Sequence, residues 1–122
     1  MVAKFSEIRT VEARALQIWQ ILLGCAHNRQ TITYQQLGRL LGYRGVGGIG
    51  KSLNPIMRYC AQNDLPPLTV LVVGKYVGEP GAGLSLKADV DSERERVYEH
   101  PWYDLCPPTM DELADANSRG MS

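Results

Sequence analysis

The stretch ITYQQLGRLLGYRGVGGIGKSLNP, residues 32–55, decides the fold of this chain. Thr33 and Gln36 have the spacing of a capping box, in which a Thr hydroxyl and a Gln amide satisfy free backbone donors at the start of a helix. Leucines at helical spacing follow, and Gly42 is a typical C-terminal stop. The pattern predicts a short helix over residues 34–41.

Helical spacing resumes behind the glycine-rich turn, at Ile49, Leu53, Ile56 and Cys60. Pro55 is unfavourable inside a helix, whereas Asn54 as N-cap with Pro55 at the first helical position is favourable. The sequence therefore predicts a helix at about 46–53, a break or kink, and a helix at about 55–63.

The flanking segments add further elements. An apolar stripe predicts a long helix over about 6–26, and the apolar, β-branched run 69–73 predicts a buried strand. A second strand is expected around Lys75–Val77 or Leu84–Leu86. Two C-terminal helices are predicted: a charged one from Asp91 to about Tyr98, and one from the capping box at Thr109 to about Ser118.

This order of elements is expected of a winged helix-turn-helix. We therefore predict an α+β fold, mostly helical with a small antiparallel sheet. Residues 1–105 would form the winged-helix domain, and residues 106–122 an acidic C-terminal helix and tail.

Length and composition limit the function classes. The chain has 122 residues, which fits one domain, and no stretch approaches the roughly 18 apolar residues of a membrane span. The N-terminus has no signal-peptide pattern, so a soluble, cytoplasmic protein without membrane contact is expected. Cys25, Cys60 and Cys106 are too widely spaced for a zinc site, so reduced thiols, no metal and no cofactor are predicted.

The zero net charge conceals a strong asymmetry. Residues 1–75 hold nine Lys or Arg against three Asp or Glu, a net charge of +6, and residues 76–122 hold four against ten, a net charge of −6. Such asymmetry suggests a basic module that meets a polyanion, followed by an acidic segment that regulates it or binds a protein partner. The other interpretation is that the two halves attract each other within one fold.

The residue types of the helix-turn-helix segment and the expected wing suit double-stranded DNA. Lys and Arg neutralise phosphates, Ser bonds phosphate oxygens, and Asn makes bidentate contacts to adenine. The predicted DNA-binding residues are Tyr34, Arg39, Tyr43, Arg44, Lys51, Ser52, Asn54, Lys75 and Tyr76.

Residues 30–75 resemble the DNA-binding winged-helix domain of DNA alkyltransferases and alkyltransferase-like proteins. That family carries Thr-Tyr-x-x-Leu-Ala, then an Ala/Arg-rich recognition helix that ends Val-Gly-x-Ala-Leu, then Asn-Pro. Here Thr33-Tyr34, Leu37, Ile49–Leu53 and Asn54-Pro55 follow the same rhythm. The resemblance implies a winged-helix fold and a DNA-binding surface.

The chain departs from that family at its functional residues. The arginine finger would fall near Gly47, and the Pro-Cys-His-Arg active-site motif would fall on Leu68–Leu71, which holds neither thiol nor histidine. Alkyl transfer is therefore not implied. We predict no catalytic residue and no enzymatic activity, and expect a regulatory or DNA-processing accessory role.

Two other functions remain open at this point. Residues 45–52 match the Walker A pattern GxxxxGK[ST], in which Lys51 would reach the terminal phosphate and Ser52 would hold magnesium. The pattern requires a preceding buried strand, and residues 34–42 are predicted to be a helix. The second alternative is a protein-interaction or inhibitor module on the same scaffold, whose acidic C-terminal half binds the partner.

Overall fold

A computed structural model describes residues 2, 4, 10–43, 48–74 and 87–119 of the chain. The predicted second strand, at Lys75–Val77 or Leu84–Leu86, lies outside these residues. In chain order the elements are α1 (Val11–His27), β1 (Ile32–Thr33), α2 (Tyr34–Leu41), α3 (Ile49–Gln62), a 3-10 turn (Leu68–Leu71), β2 (Val72–Val73), α4 (Lys87–Glu99), a 3-10 turn (Trp102–Asp104) and α5 (Met110–Arg119).

The ends of α1, α2 and α5 follow local capping chemistry. Thr10 caps α1, where its hydroxyl accepts from the Ala13 backbone N–H at 3.1 Å. Both predicted capping boxes are present, because Thr33 and Gln36 exchange backbone-to-side-chain hydrogen bonds at 2.9 and 3.0 Å, and Thr109 and Glu112 at 3.0 and 3.1 Å. Such bonds join residues three apart, so the sequence alone specifies them.

The small sheet differs from the prediction. β1 and β2 pair in parallel, with Ile32 opposite Val72 and Thr33 opposite Val73. The prediction of an antiparallel sheet was wrong, because α2, α3 and the first 3-10 turn form a crossover that returns the chain in the same direction. Most of the predicted strand 69–73 is that 3-10 turn, and only Val72–Val73 are strand. The α+β class, mostly helical, is confirmed.

The predicted division into two helices at Asn54-Pro55 is also wrong, since α3 runs through Pro55 as one helix. A proline inside a helix costs roughly 3 kcal/mol. Ile49, Leu53, Ile56 and Cys60 are all buried on one face of α3. Each buried aliphatic side chain contributes about 1.5–3 kcal/mol, so their common burial outweighs the cost of the proline.

One aromatic side chain lies at the centre of the core. The Trp19 ring of α1 meets Tyr59 of α3 at 5.7 Å and Trp102 at 5.8 Å between ring centroids, both edge to face. α5 buries Leu113 and Ala116 and packs against α1 and α3. α5 therefore shares one core with α1 and α3. The division into a winged-helix domain of residues 1–105 and a C-terminal helix and tail of residues 106–122 stays a prediction.

Candidate nucleic-acid interface

The turn after α2 positions the candidate surface. Gly42 has a φ of 79°, the left-handed conformation that glycine adopts at low cost, and ends the helix as predicted. The Tyr43 backbone N–H donates to the Gly38 carbonyl at 2.9 Å. This closing bond directs the chain away from the α2 axis and toward the start of α3.

Tyr43 connects this turn to the first turn of α3. Its hydroxyl lies 3.3 Å from the Ser52 Oγ, and the Ser52 hydroxyl donates to the Gly48 carbonyl at 3.4 Å. A Cβ on Gly48 would lie 3.7 Å from the Tyr43 ring, so ring and helix start are in van der Waals contact. Tyr43 therefore holds the C-terminal end of α2 close to the first turn of α3.

Arg14 of α1 stabilises the same turn through contacts that the sequence analysis did not predict. Its Nη1 donates to the Leu41 carbonyl and to the Gln17 Oε1, both at 3.1 Å, and its guanidinium carbon lies 5.0 Å from the centre of the Tyr43 ring. The spacing of Arg14 and Gln17 is visible in the sequence. The contact with Leu41, 27 residues away, is not.

The structure places the predicted DNA-binding residues in four groups. Arg39 and Lys51 are exposed; Tyr34, Tyr43 and Asn54 are half-buried; Ser52 is buried; and Arg44, Lys75 and Tyr76 lie outside the described residues. Arg39 and Tyr34 belong to α2, and Lys51 and Asn54 belong to the first turns of α3. We call Tyr34, Arg39, Tyr43, Lys51 and Asn54 the turn face.

Ser52 is a correction to the predicted set. The residue is only 3% exposed, and its hydroxyl already bonds to Tyr43 and Gly48. It has no surface to offer a phosphate or a magnesium ion, because it faces the core side of α3. This burial also weakens the Walker A interpretation, and the helix α2 stands where that loop needs a preceding strand.

The segment matched to the alkyltransferase active-site motif is apolar in the structure as well. Leu68, Val70 and Leu71 form a 3-10 turn and are fully buried. Neither a thiol nor a histidine lies at this position. The three side chains of Leu68, Val70 and Leu71 serve as core packing next to β2.

The charge pattern is the main electrostatic feature of the turn face. No Asp or Glu occurs between Glu12 and Asp64, whereas six Lys or Arg do. Within the described part of the chain, Arg39 and Lys51 form no ion pair. No described acidic side chain neutralises their positive charge, which is therefore available to an anionic partner.

The first turn of α3 adds to this field. It contains no acidic residue, and its N-cap residue, Gly48, has no side chain that could cap its backbone N–H groups. The start of a helix carries a partial positive charge, so these donors attract anions such as phosphates. Lys51 lies on the same turn.

The described cations of α4 and α5, Arg94, Arg96 and Arg119, are paired within their own helices. Arg96 pairs with Glu93 at 2.9 Å, and Arg119 pairs with Asp115 at 3.0 Å. One described ion pair joins the two halves of the chain, Arg29 with Glu95 at 2.8 Å, and both of its side chains are more than half exposed. The described cations of these helices are therefore neutralised, and no described acid of α4 or α5 pairs with Arg39 or Lys51 of the turn face.

An open groove of about 460 Å³ borders α2. Cys25, Ile32, Gln36, Arg39 and Leu40 are among the residues that line it. Burial raises the pKa of the Cys25 thiol, which lowers its reactivity at neutral pH. An anionic group in this groove would also be within reach of Arg39.

The described residues contain no group of three side chains that could hold a metal ion. Burial also raises the pKa of the Cys60 thiol to about 11, with a smaller opposing effect of the Leu68 backbone N–H. Cys60 is a core residue, as its place in the helical stripe predicted. No described helix is both long and apolar enough to cross a membrane.

Comparison with known proteins adds no relative: no family model, no curated protein and no solved structure matches the chain.

Proposed function

We propose that the protein binds double-stranded DNA without catalysis, through the turn face and a winged helix-turn-helix. The observation that carries the proposal is the pair of exposed cations Arg39 and Lys51, which lie on two helices of an acid-free stretch and pair with no acid among the described residues. Phosphate contacts of this kind supply most of the sequence-independent affinity for DNA.

The proposed arrangement puts the start of α3 in the major groove. In helix-turn-helix proteins, residues near the N-terminus of the second helix contact base edges. Lys51 and Asn54 occupy that position, and an Asn amide can bond an adenine edge in bidentate fashion. Arg39 would contact the flanking phosphates. Arg44, Lys75 and Tyr76 are further proposed contacts, the last two from the wing.

The brace beneath the turn supports this use. Arg14, Tyr43 and Ser52 fix the angle between α2 and α3 by hydrogen bonds and ring contact. A rigid pair of helices loses little conformational entropy on binding, so more of the contact energy appears as affinity.

The test is fluorescence anisotropy with a labelled mixed-sequence duplex, from about 50 to 200 mM salt. The double variant Arg39→Gln/Lys51→Gln should bind at least about tenfold more weakly, with a log–log salt slope smaller by about 2. Arg96→Gln/Arg119→Gln is the matched control, because it removes the same charge from residues that already pair with acids.

The control variant should keep most of the wild-type affinity. Equal losses in the two double variants would mean that only net charge matters and that the turn face is not the site. Absence of binding by the wild type at the lowest salt would reject the function itself.

A second candidate is a protein-interaction or inhibitor module that uses the acidic half. It is favoured by the exposure of Asp91, whose side chain is 82% accessible, and of other acids on α4 and α5. A basic protein partner of these helices should be lost on Asp111→Asn/Glu112→Gln and kept in Arg39→Gln/Lys51→Gln. The opposite pattern identifies DNA binding.

A further inference from the structure

A small cavity with aromatic walls lies at the end of α1 opposite to the Arg14 brace. It measures about 130 Å³ and is bounded by the C-terminal ends of α1 and α4 and by the turn Trp102–Asp104. Its rings belong to His27, Tyr98, His100, Trp102 and Tyr103. We call this cavity the aromatic pocket. The proposed DNA-binding function does not use it.

The walls of the aromatic pocket hold each other in place. Trp102 is buried, and its indole N–H donates to the Val97 carbonyl at 2.8 Å. The His100 ring packs 4.6 Å from the Trp102 ring, and the Tyr103 ring packs 5.4 Å from that of His27. A ligand would therefore meet rings that are already positioned, which lowers the entropic cost of binding.

The chemistry of these walls favours a cation. The faces of Tyr and Trp rings carry partial negative charge and attract organic cations, most of all weakly hydrated ones. Asp104 adds a carboxylate to the lining. The molecule already shows this preference at Tyr98, whose ring has the Arg29 guanidinium carbon 5.5 Å from its centre.

The size of the cavity narrows the choice of cation. A volume of 130 Å³ corresponds to about four water molecules at about 30 Å³ each. That is room for one compact group of four or five heavy atoms, and too little for a nucleotide. A trimethylammonium group fits this description, because it is compact, positively charged and poorly hydrated.

We propose that the aromatic pocket binds a quaternary ammonium group, held by the rings of Trp102 and Tyr103 and by the Asp104 carboxylate. The site is separate from the turn face, since none of its lining residues belongs to α2 or α3. Its existence does not depend on DNA binding.

The experiment compares choline with 3,3-dimethylbutan-1-ol, a neutral molecule of nearly the same shape. Each is titrated into the full-length protein at pH 8 and constant ionic strength, and the indole N–H signals of the two tryptophans are followed by NMR. We expect saturable shifts of the Trp102 signal with choline, and affinity for the neutral analogue weaker by roughly fivefold or more.

Two variants test the assignment of the walls. Tyr103→Ala and Asp104→Asn should each weaken choline binding roughly threefold or more, and both residues are exposed enough that the fold should tolerate the change. Leu105→Ala is the control, because Leu105 is the exposed neighbour that does not line the pocket.

Equal affinity for the two probes would overturn the proposal, since the pocket would then be merely apolar. The lack of any saturable shift with choline would overturn it too, as would an equal loss in the Leu105→Ala control. None of these outcomes affects the anisotropy test of DNA binding, so the two proposals stand or fall separately.

Discussion

Two arginines lie over tyrosine rings at opposite ends of α1, and their surroundings differ. Arg14 lies 5.0 Å from the Tyr43 ring centre, is half-buried, and bonds to a backbone carbonyl. Arg29 lies 5.5 Å from the Tyr98 ring centre, is exposed, and bonds to the Glu95 carboxylate. Arg14 lies in the first turn of α1 and Arg29 follows its last residue, His27, so about 20 Å of helix separates the two arginines.

The difference shows how position decides what the same pair of residue types can do. A half-buried arginine that satisfies a backbone carbonyl fixes the geometry of a turn, because the carbonyl would lose its partner without it. An exposed arginine beside a carboxylate gains little, because water competes for both charges. We therefore expect the Arg14 end of α1 to be structurally constrained and the Arg29 end to be tolerant.

The largest effect is expected at Trp19, which lies between the two ends of α1. Trp19 contacts Tyr59 on α3 and Trp102 beside the aromatic pocket. Trp19→Ala should lower the free energy of unfolding by about 3–5 kcal/mol, since it leaves a large cavity in a shared core. Urea denaturation measures this. Tyr103→Ala, at an exposed ring, should stay within about 0.5 kcal/mol of wild type.

The next test uses pH to examine the buried face of α3. The pKa of Cys60 is raised by burial from 9.0 to about 11, so folding favours the protonated thiol. Its contribution to stability is complete below about pH 9 and is lost as pH rises through 11, an effect of about 3 kcal/mol. The difference in unfolding free energy between wild type and Cys60→Ala should shrink accordingly between pH 8 and pH 11. A constant difference would mean that the thiol is solvated.

Arg14 is the direct test of the constrained end. Arg14→Ala should cost about 1–2 kcal/mol of stability, because the Leu41 carbonyl and the Tyr43 ring both lose their partner. It should also weaken DNA binding, although Arg14 is not on the turn face. Arg14→Lys keeps the charge without the planar group and should fall between wild type and Arg14→Ala. If Arg14→Ala lowers the free energy of unfolding no more than Arg29→Ala does, the proposed difference between the two ends of α1 is wrong.

Arg29 gives the smallest expected effect. Arg29→Ala should leave the urea midpoint almost unchanged at low salt, and the remaining difference should vanish at roughly 0.5 M NaCl because salt screens exposed charges. Arg29→Ala should also leave duplex affinity nearly intact, since Glu95 already neutralises this residue. A drop in affinity as large as that of the turn-face double variant would extend the DNA-binding surface to this end.

The features that were predicted correctly from the sequence are those set by residues close together along the chain. The capping boxes at Thr33 and Thr109 and the stop at Gly42 involve residues three or four apart, and all are present. The stripe of α1 and the burial of Cys60 follow from helical periodicity. The predicted start of α1 near residue 6 was wrong, because the extended residue Thr10 caps the helix and α1 begins at Val11. α4 begins at Lys87, earlier than predicted.

The candidate site was predictable only in part, for the same reason. Residue types on α2 and α3 identify Arg39, Lys51 and Asn54 as contacts, because their chemistry suits phosphates and bases. Whether each side chain reaches the surface depends on what packs beside it. Ser52 illustrates this, since Tyr43 and the core enclose its hydroxyl.

The sequence by itself determined where the helices begin and end through caps, and it segregated positive charge into an acid-free stretch. Only the tertiary structure decided the parallel pairing of Ile32 with Val72, the passage of α3 through Pro55 and the position of Arg14 beneath the turn. Caps and charge patterns are set by residues close along the chain. Pairing, burial and bracing join residues that are far apart in the sequence, and their energies exceed the local preferences that a sequence displays.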